Sequence, residues 1–166
     1  MCTFQHPWAT AILKEGGKAV HCSGALIHPK FVLTAAHCFT KDQVYPPNPD
    51  EEDLILAFGL DDTSKIGTPL EKILQIQTKK IKKVELHPGY QYPAAYDDLA
   101  LVELENEVSL TEKVQTICLP SAADPDPDHL SQLGATLVGY GPPPDGSTGL
   151  NQINHRIRSG APLTRI

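Results

Sequence analysis

Residues 22–38 read CSGALIHPKFVLTAAHC, and this stretch decides the fold. Two mostly apolar runs lie on either side of the turn signal His28-Pro29-Lys30. They predict strands at 19–28 and 31–35, separated by a tight turn. The first candidate functional residue, His37, follows the second of these strands directly.

Short runs of strand-forming residues recur along the first 104 residues. The further strands that they predict lie at 8–13, 54–59, 72–86 and 99–104. Fifteen Pro and 12 Gly fit many turns and short strands rather than long helices. Six short strands at this density predict an all-β domain, either a small closed barrel or a sandwich.

The composition excludes several classes of protein. The 166 residues suit one domain, or one domain plus a fragment. The net charge of −6 argues against a nucleic-acid binder and against an anionic-membrane binder. The sequence contains no run of 18 apolar residues, which is the length that would suggest a membrane-spanning helix. Residues 1–17 lack the features of a signal peptide. We therefore expect a globular domain with no nucleic-acid and no membrane partner.

Two charged segments are interpreted as surface features. Four lysines, at positions 79, 80, 82 and 83, flank Ile81 in the predicted strand 72–86. We interpret them as guards of an exposed edge strand against aggregation rather than as a binding patch. The acidic segment 50–53 is interpreted as a solvated turn.

The cysteines leave two hypotheses open. Three pairings are possible among Cys2, Cys22, Cys38 and Cys118, and disulfide bonds would place the protein outside the cell. Alternatively, the His-Cys dipeptides at 21–22 and 37–38 supply imidazole and thiolate to zinc. Zinc is disfavoured because the C-x2-C spacing is missing and neighbouring residues of a strand point to opposite faces.

The stretch 22–38 resembles the active-site histidine segment of the trypsin/chymotrypsin-like serine proteases. It contains, in order, a cysteine, a strand with glycine, a turn, an apolar strand and Thr-Ala-Ala-His-Cys. A second segment, 96–104 (YDDLALVEL), is similar to the family segment that carries the catalytic carboxylate. The resemblance implies that His37 is the general base, that Asp98 is the carboxylate orienting it, and that Cys22 pairs with Cys38.

The spacing of the two residues departs from the family pattern. His37 and Asp98 are 61 residues apart, against roughly 45 in the family's mechanism. The excess fits within the Pro-rich, acidic loop at 41–53.

The resemblance also implies the fold and the domain limits. The expected fold is a chymotrypsin-like six-stranded antiparallel barrel over 1–120, followed by a Pro/Asp-rich linker at 121–133. The start of a second barrel is expected at 134–166, and Cys2 is a possible partner for Cys118. Shorter matches to the family lie at 6–8 (HPW), 117–120 (ICLP) and 139–141 (GYG).

The serine nucleophile that the resemblance requires is missing from the sequence. The family's Gly-Asp-Ser-Gly-Gly-Pro does not occur, and Ser147 and Ser159 lie in segments that match it only in part. By the resemblance, the oxyanion donors and the specificity pocket also belong to the second barrel. We therefore expect a truncated chain, inactive by itself, of a secreted endopeptidase that acts on protein or peptide substrates.

The alternative is a non-catalytic protease homologue that works as an extracellular binding or regulatory module. A partner protein would then cover the barrel face that the second barrel of the family covers. Intact His37 and Asp98 favour the protease, whereas the missing serine favours the homologue. Neither hypothesis requires a metal or another cofactor.

Overall fold

The computed structural model describes residues 6–40, 53–94, 96–119, 134–141 and 151–156. Within these ranges the strands, in chain order, are β1 (Ala9–Lys14), β2 (Ala19–His28), β3 (Phe31–Thr34), β4 (Ile55–Phe58), β5 (Gln77–Leu86), β6 (Ala100–Leu104), β7 (Gly134–Gly139) and β8 (Asn151–Arg156). Short 3₁₀ helices lie at Ala36–Phe39, Thr63–Lys65 and Leu70–Lys72. No helix of these described ranges is long and apolar enough to cross a membrane.

Six of the strands close into an antiparallel barrel in the order β1-β2-β3-β6-β5-β4. This confirms the expected all-β, six-stranded antiparallel barrel, and the sandwich alternative is wrong. Closure pairs each barrel strand on two sides, which removes the exposed edges of an open sheet. β7 and β8 form a separate two-stranded antiparallel sheet within the segment 134–166.

The barrel core follows from the alternation of side chains along the strands. In β6, Ala100, Val102 and Leu104 are buried, whereas Leu101 and Glu103 are only partly buried. Successive side chains of a strand point to opposite faces, so the first three residues face the barrel interior. The large side chains that fill the interior with them are Ile12, Leu26, Val32, Leu56 and Phe58.

β5 is shorter than the sequence predicts. The strand expected at 72–86 begins only at Gln77, because Leu70–Lys72 form a 3₁₀ helix and the chain then turns. Gln75 has a positive φ of 77°, which no strand residue adopts. Leu70 and Ile76 are buried in a second apolar cluster outside the barrel interior. Within 72–76, Ile73 and Ile76 therefore anchor a turn rather than a strand, whereas Leu74 is exposed.

The lysines around Ile81 do not lie on the edge strand of an open sheet, and that part of the interpretation is wrong. Residues 77–80 of β5 pair with β4, and residues 81–86 pair with β6. Ile81 is buried, and Lys82 reaches across to β6, where its Nζ lies 2.8 Å from Glu103 Oε1. The hydrogen bond from Lys82 holds the pKa of Glu103 below its usual value. The positive charge of this surface is thus partly offset by acidic neighbours.

Tyr140 joins the segment after β7 to the barrel. Its side chain is 2% exposed, and its hydroxyl donates to the Leu60 carbonyl at 2.8 Å. The Tyr140 backbone N–H donates to Ser23 Oγ on β2 at 2.9 Å. Burial raises the pKa of Tyr140 well above its usual value. The predicted linker at 121–133 lies outside the described residues.

Candidate active site

His37 is presented by the 3₁₀ helix Ala36–Phe39, here called the histidine turn, which follows β3. The turn closes with a hydrogen bond from the Cys38 N–H to the Ala35 carbonyl at 3.4 Å. Cys38 and Phe39 belong to the buried barrel cluster, so they anchor the turn to the core. The His37 side chain points the other way and is 58% exposed. Burial of its neighbours therefore presents the imidazole to solvent.

Asp98 holds His37 by two hydrogen bonds from one carboxylate. The His37 backbone N–H donates to Oδ1 at 2.8 Å, and His37 Nδ1 lies 2.7 Å from Oδ2. An ionised carboxylate only accepts hydrogen bonds, so Nδ1 must carry the ring proton when the imidazole is neutral. The second nitrogen, Nε2, then has a free lone pair and lies 3.8 Å from Cys38 Sγ. The ring is thereby fixed in the tautomer that a general base needs.

The loop before β6 shapes the backbone at Asp98. Residues 87–94 and 96–99 of this loop are described, and we call them the aspartate loop. Asp97 has a positive φ of 51°, a left-handed conformation that Asp tolerates better than most residues. The Leu99 N–H donates to the Asp97 carbonyl at 2.7 Å, which closes a tight turn centred on Asp98. A Cβ at Gly89 would overlap Asp97 Oδ2, so a larger residue there would displace the Asp97 side chain.

The disulfide expected between Cys22 and Cys38 is present and joins β2 to the histidine turn, with the two Cα atoms 6.2 Å apart. Cys22, Cys38 and His37 bring their donor atoms within 4.8 Å of one another. Because the two sulfurs are bonded to each other, neither is the thiolate that zinc binds. The zinc hypothesis is therefore not supported at these cysteines.

The remaining predicted residues lie elsewhere. Cys118 is exposed and pairs with no cysteine of the described residues. Its possible partner, Cys2, lies outside them, so that pairing stays a prediction. Ser147 and Ser159 also lie outside the described residues.

Two contacts at the histidine turn have no counterpart among the sequence predictions. Thr40 Oγ1 lies 3.1 Å from the hydroxyl of Tyr90, which ties the end of the turn to the aspartate loop. His21 Nε2, on β2, lies 2.6 Å from the carbonyl oxygen of Cys38. Both contacts join residues far apart in the sequence, and no local motif marks them.

An open pocket of about 530 Å³ lies on one side of the barrel. Its lining comes from β1 and the segment that precedes it, from β2, β3 and β7, and from the segment after β6. The residues that line it include Trp8, Gly24, Leu33, Ile117 and Val138. His37 and Asp98 are not among the lining residues.

The chain is similar to known proteins over most of its length. The Trypsin family profile matches residues 3–165. Transmembrane protease serine 11B of Homo sapiens is 33% identical over 116 residues, which are 70% of this chain and 24% of that protein. CLIP domain-containing serine protease B10 of Anopheles gambiae is 30% identical over 149 residues, which are 82% of this chain and 39% of that protein. The chain thus spans well under half the length of both relatives.

Proposed function

Because the chain belongs to the trypsin family of serine proteases, we propose that it supplies the general base and the orienting carboxylate of a secreted endopeptidase. His37 is the base and Asp98 the carboxylate. The observation that carries the proposal is the pair of hydrogen bonds from Asp98, at 2.7 Å to Nδ1 and 2.8 Å to the backbone N–H of the same residue. One carboxylate thereby sets both the tautomer and the direction of the ring.

The chemistry of these two residues follows from that geometry. A serine hydroxyl is a weak nucleophile until a base removes its proton. Nε2 of His37 takes that proton as the oxygen attacks the peptide carbonyl, and returns it to the leaving amine. The imidazolium formed in between carries a positive charge beside the Asp98 carboxylate, which stabilises it. The partial exposure of His37 leaves Nε2 within reach of a substrate and a hydroxyl from outside the barrel.

We assign no residue of this chain as the nucleophile, as an oxyanion donor or as part of the specificity pocket. The 166 residues contain no Gly-Asp-Ser-Gly-Gly-Pro segment. We propose that the segment 134–166 belongs to the second barrel of the family, and that the 166-residue polypeptide alone does not hydrolyse peptide esters or amides. The disulfide at Cys22 supports a site of action outside the cell.

The natural gene product that contains these residues provides the test. A fluorophosphonate reagent should label one serine and abolish amidase activity, and His37→Ala should prevent both. Asp97→Asn, at the neighbouring carboxylate, is the matched control and should keep labelling and turnover. Labelling that persists at the wild-type rate in the His37→Ala variant would contradict the proposed role of the imidazole.

A second candidate function is the non-catalytic binding module, which the open pocket favours. Trp8 lines this pocket and is the chain's one tryptophan, so its emission reports whether a partner covers the site. A protein partner that binds there should shift the Trp8 emission of the wild type but not of a Leu33→Arg variant. Binding with an unchanged emission would place the partner elsewhere.

A further inference from the structure

His21 is the extra residue of a β-bulge next to the candidate active site. In the β1–β2 register, Ile12 pairs with Cys22 and the next residue, Leu13, pairs with Val20. His21 is therefore the additional residue of β2 between these two pairs. A bulge bends its strand and re-aims a side chain that regular alternation would send elsewhere, and bulges are over-represented beside active sites.

The bulge aims the His21 ring at the histidine turn. Nε2 of His21 lies 2.6 Å from the carbonyl oxygen of Cys38. A carbonyl oxygen only accepts, so Nε2 must carry a proton and donate it. The neighbouring residue on the strand, Cys22, is bonded to the sulfur of the same Cys38. His21 and Cys22, which are consecutive on β2, thus both hold Cys38. Cys22 is bonded to the Cys38 sulfur, and His21 is hydrogen-bonded to the Cys38 backbone carbonyl.

We propose that His21 is a positioning residue for His37. The disulfide holds the side chain of Cys38, and the hydrogen bond from His21 fixes the direction of the Cys38 carbonyl. Fixing that carbonyl fixes the backbone that carries the His37 ring. The ring must hold Nδ1 within hydrogen-bond distance of Asp98, and such sites tolerate displacements of only about 0.5 Å. The inference relies on the proposed function only for the role of His37 as the base.

The test uses the 166-residue chain labelled uniformly with ¹⁵N, and it does not depend on a serine nucleophile. The measured quantity is the rate at which the His37 Nδ1 proton exchanges with water. His21→Phe removes the donor and should raise this rate roughly tenfold, the factor that corresponds to one lost hydrogen bond. Backbone amides of β2 and β3 should keep their wild-type exchange rates. His21→Gln, whose amide can donate to the same carbonyl, should restore the rate to within about twofold.

The matched control is His28→Phe, at the end of the same strand. His28 Nδ1 accepts from the Lys30 N–H of its own turn at 3.2 Å, and the ring lies against Phe31 at the start of β3. This variant should leave the His37 proton unchanged. The proposal is overturned if His21→Phe exchanges no faster than His28→Phe, or if His21→Gln is as fast as His21→Phe.

Two further outcomes are also decisive. If His21→Phe and His21→Leu both fail to fold, His21 is a structural residue and the positioning role is wrong. If the wild type shows its ring proton on Nε2 instead of Nδ1, the Asp98 hydrogen bond is absent and the proposed function fails first. The two proposals therefore fail in distinguishable ways.

Discussion

Replacing Asp98 by Asn separates the orienting role of this residue from its packing role. The Asn oxygen can still accept from the His37 backbone N–H, which the wild-type carboxylate does at 2.8 Å. The Asn nitrogen then faces Nδ1, and an amide N–H can only donate. Nδ1 must become the acceptor, so the ring proton moves to Nε2. A base with a protonated Nε2 cannot take a proton from serine.

The magnitudes follow from the two hydrogen bonds. One charge-assisted bond, the 2.7 Å contact to Nδ1, becomes a neutral one, which should lower the free energy of unfolding by about 1 kcal/mol. Asp98→Ala loses both bonds and should cost about 3 kcal/mol. In the natural gene product, Asp98→Asn should lower turnover about 10⁴-fold, the effect of the corresponding change in the Ser-His-Asp mechanism.

The ¹⁵N spectrum of histidine-labelled chain, recorded at an alkaline pH where imidazoles are neutral, measures the tautomer directly. The wild type should carry the His37 proton on Nδ1, and the Asp98→Asn variant should carry it on Nε2. Asp97→Asn is the control, because Asn also tolerates the left-handed φ of 51° at that position. A proton that stays on Nδ1 in the Asp98→Asn variant would refute the geometric argument.

Three further predictions concern stability. Replacing Cys22 and Cys38 together by Ala should lower the free energy of unfolding by about 3 kcal/mol, because the bridge closes a loop with a sequence separation of 16; an unchanged urea midpoint would contradict this. Tyr140 has a pKa raised by burial, so the wild type should lose stability as pH rises above about 10, where the unfolded tyrosine releases its proton first. Tyr140→Phe should remove that loss in urea titrations at rising pH, and equal slopes for both proteins would disprove the assignment. Gly24→Ala would bring a Cβ to 2.7 Å from a methyl carbon of Val32 and should cost about 1–3 kcal/mol by thermal unfolding; an unaltered Tm would show that β2 and β3 part freely there.

The strands of the barrel could be predicted because their signals are local. The segment at 19–28 matches β2 residue for residue, and 31–35 exceeds β3 by one residue. Apolar alternation and a Pro-containing turn lie within a few positions of each other there. The strand predicted at 72–86 begins five residues too early for the converse reason, since Ile73 and Ile76 pack in a cluster of residues that are distant in the sequence. Local alternation cannot distinguish a strand from a turn that anchors two side chains in a separate cluster.

The strand pattern by itself left a barrel and a sandwich open, and the closure of the sheet changes how the lysines around Ile81 are interpreted. A six-stranded sheet that stays open has two edges, and lysines suit an edge strand. The pairing of β4 with β1 and β5 closes the sheet, so the same lysines lie on a strand whose residues 77–80 pair with β4 and whose residues 81–86 pair with β6. Composition of one strand does not reveal how many partners that strand has.

The candidate site shows the same division between local and non-local information. His37 and Asp98 could be predicted because each lies in a continuous segment with its own pattern, and the structure joins them at 2.7 Å across 61 residues. His21 and Tyr90 lie within hydrogen-bond distance of Cys38 and Thr40, and neither lies in a motif that points to the turn. His21 is the additional β2 residue between the pairs Ile12–Cys22 and Leu13–Val20. The sequence of β2 alone does not show this bulge, because a bulge depends on how β2 pairs with β1.

The histidine turn is short, so its position depends on what surrounds it. A 3₁₀ helix of four residues has few internal hydrogen bonds and would not hold a side chain in place by itself. The structure supplies the missing restraint from β2, through the disulfide and His21, and from the aspartate loop, through Asp98 and Tyr90. Contacts from β2 and from the aspartate loop both hold this turn. Loss of one such contact should therefore increase the mobility of His37 without unfolding the barrel. Exchange at the His37 ring is therefore a more sensitive measure of these contacts than global stability.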